Sequence, residues 1–266
     1  MIFLNSFINL PQIRVMKKVL SLILLVLPTL ASYAQLKLTF PSGDGLLVTA
    51  DWYPVSSRLP VILLCHQNNS SRGEFSETAL RLNKFGFNCL AVDLRVGSEI
   101  NGITNETANA AVTKKTTPGY LDASTDIIAA VNFLYEKYQK PIVILGSSYS
   151  ASLALIIASE NPKISSIVVF SPGEYFDDKN YVANHISKLS KPIFATSSKA
   201  ESEQVTDLLK DVNSRIKLQY IPSSAGDHGS KVLWPSMPDN QEYWIALMSF
   251  LDRIKTSEKA FLFYHA

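Results

Sequence analysis

Apolar residues fall along this chain in short unbroken runs, separated by stretches in which they recur at helical spacing. Runs 36–40 and 46–53 flank Ser42-Gly43-Asp44-Gly45, a turn signal, and predict an opening hairpin. Further runs at 60–65, 87–94, 142–147, 164–170, 192–196 and 216–221 read as buried strands. Between them, helical spacing predicts helices over 74–85 (Phe75, Ala79, Leu82 and Phe85 on one face) and 121–138 (Ile127, Val131, Leu134, Tyr138). Asp122 or Ser124 is available to cap the second. Other helices are predicted just after 148 and over 180–189, 203–212 and 243–254. A strand pair followed by β-α repeats implies an α/β fold: one domain with a mostly parallel eight-stranded sheet and helices on both faces. The polar stretch 95–120, rich in Asn, Thr and Gly, is long for a connection and is read as a cover over a pocket.

The N-terminal 34 residues stand apart from this pattern. Lys17-Lys18, an apolar stretch over 19–30 and the small residues around Ala31-Ser32-Tyr33-Ala34 have the three regions of a secretory signal peptide. The apolar stretch is short of the roughly 20 residues a membrane span needs. Met16 offers an alternative start, which would make 1–15 an upstream extension. The expected organisation is a leader over 1–34, a domain over 35–258 and a tail over 259–266, in a secreted or periplasmic protein with no membrane association after cleavage.

Setting the leader aside changes the charge. The chain carries 25 basic and 23 acidic residues, but Arg14, Lys17 and Lys18 belong to the leader. The remaining balance is one net negative charge, with no basic patch to suggest nucleic acid. Cys65 and Cys89 each sit inside a strand-like run and read as buried thiols rather than a disulfide. No His/Cys cluster suggests a metal, and no glycine-rich dinucleotide or phosphate-binding pattern suggests a cofactor. Asn105-Glu106-Thr107 matches a glycosylation pattern too short to carry weight.

The chemistry concentrates at Gly146-Ser147-Ser148-Tyr149-Ser150, where an apolar strand breaks, presents a serine and resumes as an apolar helix. That layout is a nucleophile elbow, with Ser150 standing where the G-x-S-x-G pattern has its second glycine. A serine needs a base and a group to orient that base. Of four histidines, His66, His185, His228 and His265, only His228 lies in a glycine-bracketed loop, Gly226-Asp227-His228-Gly229, after the last strand. For the acid, Glu201 follows the strand 192–196. Glu174, Asp227 and Glu203 are rivals.

The elbow, the proline-strand-acid loop and the late histidine resemble the α/β-hydrolase superfamily over nearly all of residues 36–255. The compact form, with no large insertion between Ser171 and Lys191, is similar to dienelactone-hydrolase-like and small-esterase members. The resemblance implies Ser148 as nucleophile, His228 as base and Glu201 as acid. It implies oxyanion donors at the backbone N–H of Tyr149 and of Gln67, with His66 buttressing the Gln67 loop. His66 and Arg95 are placed at the substrate pocket, although an ion pair anchoring the loop is the plainer reading of Asp93-Leu94-Arg95. The expected activity is hydrolysis of a carboxylic ester on a small-molecule acyl substrate, without a cofactor. A peptidase or amidase, or a non-catalytic binding scaffold of the same fold, are the alternatives; oligomeric state stays open.

Overall fold

The computed structural model describes residues 35–114 and 117–264, the last eight of these in backbone only. The leader and His265 lie outside the described residues. Eight strands form one sheet: β1 (Leu36–Pro41), β2 (Leu47–Tyr53), β3 (Val61–Cys65), β4 (Asn88–Val92), β5 (Ile142–Ser147), β6 (Ile164–Phe170), β7 (Ile193–Thr196) and β8 (Lys217–Tyr220). Their spatial order is β1-β2-β4-β3-β5-β6-β7-β8. β1 and β2 form the expected antiparallel hairpin, β2 pairs antiparallel with β4, and all other pairs are parallel.

Helices α1 (Ser76–Lys84), α2 (Glu106–Thr113), α3 (Ser124–Tyr138), α4 (Tyr149–Glu160), α5 (Tyr181–Ile186), α6 (Ser202–Leu208) and α7 (Asn240–Tyr264) connect or cover the strands. β3 is buried along its whole length, and its residues alternate between two cores. Val61, Leu63 and Cys65 pack with Ile127, Val131 and Leu134 of α3 and Leu153 of α4 on one face. Ile62 and Leu64 pack with Phe75, Ala79 and Leu82 and with Trp244, Leu247 and Phe250 of α7 on the other. Each such large side chain contributes roughly 1.5–3 kcal/mol on burial. Cys65 belongs to the first core and Cys89 to the second, so the sheet separates the two free thiols.

Two expectations are corrected. The stretch 95–120 is not one long connection: it contains helix α2, which lies against β2. Thr49 N–H donates to Thr107 Oγ1 at 2.9 Å, and the Asn105 side chain caps the helix by accepting from Ala108 N–H at 2.8 Å. Asn105 is fully buried, which removes it as a glycosylation site in the folded chain. Neither Asp122 nor Ser124 caps α3; a short 3-10 turn over Tyr120–Ala123 precedes it, and Asp122 closes that turn by accepting from Gly119 N–H at 2.8 Å.

The strand order positions the site. The chain runs from β3 outward to β4, then crosses back to β5 on the other side of β3. Ligands in open parallel sheets bind at such a reversal, outside the carboxyl ends of the strands, and β5 ends there at Ser147, next to Ser148.

Candidate active site

The elbow between β5 and α4 is a local consequence of close packing. A Cβ on Gly146 would lie 2.5 Å from Ser150 O and 2.6 Å from Ala151 Cα, so only glycine lets the helix start this near the strand. Ser148 is held at φ 59 and ψ −126, a region L-residues avoid at a cost of about 1–3 kcal/mol. Its N–H donates to Phe170 O at 2.8 Å, which ties the strained turn to the end of β6. Tyr149 opens α4, so its N–H is one of the helix's amides with no acceptor within the helix.

His228 arrives from the loop after β8. Gly226 and Gly229 have φ values of +63 and +78, and a Cβ on either would strike Tyr243 Oη or Gln67 Oε1 at 2.2 Å. The loop is fastened by Gly229 N–H donating to Ser171 Oγ (3.0 Å) and Ser230 N–H donating to Ser147 Oγ (2.8 Å). The imidazole then meets two groups: Nε2 is 2.8 Å from Ser148 Oγ, and Nδ1 is 2.5 Å from Glu201 Oε1. Glu201 Oε2 accepts from Ser171 Oγ (2.8 Å), Ser198 Oγ (2.9 Å) and Ser198 N–H (3.2 Å). Burial works to raise the Glu201 carboxyl, but the hydrogen bonds from His228, Ser171 and Ser198 outweigh it and hold the group down at about 2.

The rivals are occupied elsewhere. Glu174 accepts from Val182 N–H (2.7 Å) and Ala183 N–H (2.9 Å) and serves the first turn of α5. Asp227 bonds the backbone N–H of His228 at 2.7 Å, not its ring. Glu203 is exposed in the first turn of α6, and His185 is exposed with Nδ1 on Tyr181 O.

The loop after β3 departs from expectation. Gln67 N–H donates to Glu74 Oε2 at 3.0 Å, while Glu74 Oε1 accepts from Ser230 Oγ. The Gln67 amide is therefore already engaged. The next amide, Asn68 N–H, has no acceptor among the described residues. His66 lies inside the protein, not at a pocket surface: it is 0% exposed, with Nδ1 on Gln67 O (2.7 Å) and Nε2 accepting from Leu94 N–H (2.9 Å). Burial pushes its pKa down, which suits a neutral ring bracing the loop. Arg95, expected at the pocket, is held in ion pairs, as the plainer reading of Asp93-Leu94-Arg95 has it. Its guanidinium is taken by Asp126 (2.7 Å) and Asp44 (2.6 Å), tying the β1–β2 turn to α3. Asp93 pairs with Arg72 instead, at 2.6 Å.

Sequence reading missed Tyr175. Its hydroxyl donates to Ser171 O at 2.8 Å and neighbours the Ser148 hydroxyl, and burial pushes its pKa up to about 12. A Cβ on Gly173 would lie 3.1 Å from the ring, so the Ser171-Pro172-Gly173 sequence is the signal that could have located it. Tyr175 and Glu201 form one wall of a cleft of about 660 Å³ whose other walls come from α5 and α6. No group of His, Cys, Asp and Glu among the described residues could hold a metal ion.

A model of the dienelactone hydrolase family matches residues 44–222. No curated protein matches the chain. Among solved structures, the Pyrococcus furiosus esterase Pf2001 is 20% identical with a TM-score of 0.63, over 84% of this chain and 93% of that one. A dienelactone hydrolase from Anabaena variabilis is 14% identical, with a TM-score of 0.62 over 82% and 95%. The α/β hydrolase GrgF from Penicillium is 12% identical, with a TM-score of 0.64 over 83% and 98%. At these identities the likeness is one of fold.

Proposed function

We propose that this chain, which belongs to the dienelactone hydrolase family, is an esterase in which Ser148, His228 and Glu201 form the catalytic triad. The observation that carries the reading is the unbroken hydrogen-bonded chain from Ser148 Oγ through both His228 nitrogens to Glu201. With Glu201 ionised, Nδ1 carries the ring proton and Nε2 is left to accept from Ser148. Ser148 Oγ attacks the ester carbonyl as His228 takes its proton, and the imidazolium passes that proton to the departing alcohol. Water then attacks the acyl-enzyme, with His228 as base, and frees Ser148.

The tetrahedral oxyanion needs two donors. Tyr149 N–H is one. Because the Gln67 amide is bonded to Glu74, we assign the second to Asn68 N–H, one residue further along the same loop. Each such donor is worth about 3–4 kcal/mol in the transition state. The basic, apolar and small-residue regions over 1–34 support export of the enzyme from the cytoplasm.

Hydrolysis of short p-nitrophenyl esters tests this reading. Wild type turns over, and Ser148→Ala loses at least about 10³-fold in kcat while unfolding at an unchanged temperature. Equal rates for the two proteins would refute it.

A further inference from the structure

Ser150 occupies the position that the elbow pattern gives to glycine, and its hydroxyl is not a passive replacement. It is completely buried at the start of α4. Oγ accepts from Ser147 N–H at 2.9 Å, which satisfies an amide in the elbow itself. Its single proton has two carbonyls in reach, Cys65 O at 2.8 Å and Ser147 O at 2.9 Å. Ser147 lies in the same turn, so a bond to its carbonyl only closes the elbow on itself. Cys65 is different: it ends β3, and the next residues in the chain are His66, Gln67 and Asn68. A bond to Cys65 O joins the element that carries Ser148 and Tyr149 to the root of the loop that carries the second oxyanion donor.

We propose that Ser150 is a positioning residue for the oxyanion hole, and that its hydroxyl sets the spacing between the Tyr149 amide and the loop after β3. The proposal rests on the esterase reading above. It gives the departure from glycine a function: glycine at this site would leave Ser147 N–H and Cys65 O without the side-chain link. His66 braces the same loop from its far side through Leu94 N–H and Gln67 O, so the loop's root is held from two directions. Removing one brace lets the loop shift without unfolding it. Transition-state hydrogen bonds suffer from displacements of an ångström far more than ground-state binding does.

The test compares wild type with Ser150→Ala and Ser150→Gly in kcat and KM on p-nitrophenyl acetate, in affinity for a trifluoromethyl ketone, and in thermal unfolding. The ketone adds Ser148 as a hemiketal whose oxygen occupies the oxyanion hole. The expected result is a fall in kcat of about 10- to 100-fold with KM within about twofold of wild type. The ketone's affinity falls by the same factor as kcat. Folded variants with kcat within threefold of wild type, or a fall in kcat with ketone affinity retained, would overturn the proposal. If Ser150→Ala does not fold, Ser150→Gly carries the test; failure of both to fold makes the hydroxyl a folding requirement and overturns it too. An inactive wild type is a separate outcome, since it removes the esterase reading itself.

Discussion

Replacing Glu201 by glutamine keeps the side chain's shape and forces a choice that the carboxylate never faces. Oε1 bonds His228 Nδ1, and Oε2 receives three donors, from Ser171 Oγ, Ser198 Oγ and Ser198 N–H. An amide has one oxygen and one NH₂ for these two places. The Ser198 N–H can only donate, so it favours the amide oxygen on its side, which turns the NH₂ towards His228. Nδ1 must then accept, the ring proton moves to Nε2, and Nε2 can no longer take the proton of Ser148. The corresponding carboxylate-to-amide change in chymotrypsin-type triads, Asp to Asn, costs about 10⁴ in kcat for this reason. Here two of the three opposing donors are hydroxyls that can rotate to accept, so the expected loss is about 10³- to 10⁴-fold, or roughly 4–5.5 kcal/mol. Steady-state hydrolysis of p-nitrophenyl acetate measures it, with a thermal melt to show that the variant is folded. A folded Glu201→Gln enzyme within tenfold of wild type kcat would refute the triad assignment.

Two further outcomes follow from the same geometry. Glu174→Ala removes the acceptor for Val182 and Ala183 N–H; it should lower stability by about 1–2 kcal/mol in a urea titration and leave kcat within about threefold. A large loss of kcat with unchanged stability would instead make Glu174 the acid. Acid titration of stability gives a second check on Glu201. Its folded-state pKa of about 2 lies below the ordinary 4.5, so the unfolded chain takes up the proton first as pH falls. The contribution, at most about 3 kcal/mol, is complete above about pH 5 and lost as pH drops towards 2. Burial pushes Asp51, Asp93 and Asp126 the opposite way, so the informative quantity is the stability difference between wild type and Glu201→Gln across that range. A difference that does not change with pH would contradict the assignment.

The sheet was legible because strands such as β3 and β6 are buried on both faces, and burial on both faces writes itself as an unbroken apolar run. The elbow was legible for a related reason, since Gly146 is dictated by backbone approach and the helix after it is almost wholly buried. Helix α2 was not. Its sequence, ETANAAVT, carries no apolar stripe, and beyond the local Asn105 cap what holds it is tertiary: Thr107 on β2, and Glu106 N–H on Asp93 Oδ2 at 2.8 Å. Helix α7 runs over Asn240–Tyr264, beyond the helix expected at 243–254 and into the expected tail, because the polar stretch Lys255-Thr256-Ser257-Glu258-Lys259 breaks the apolar pattern that marks it. At the site, residue type suggested the serine, histidine and acid, but partners distant in sequence decided the rest. Nothing near Arg95 announces Asp126, 31 positions away, and nothing near Gln67 announces that Glu74 will take its amide.

The central claim is that the Ser148 hydroxyl is activated by His228, and covalent labelling with a fluorophosphonate tests it most directly. Peptide mass spectrometry of the labelled wild-type protein should find the adduct on Ser148, with labelling abolished in Ser148→Ala and slowed by several orders of magnitude in His228→Ala. Ester hydrolysis by a wild-type protein whose Ser148 stays unlabelled, or a Ser148→Ala protein that labels and turns over at the wild-type rate, would contradict the account.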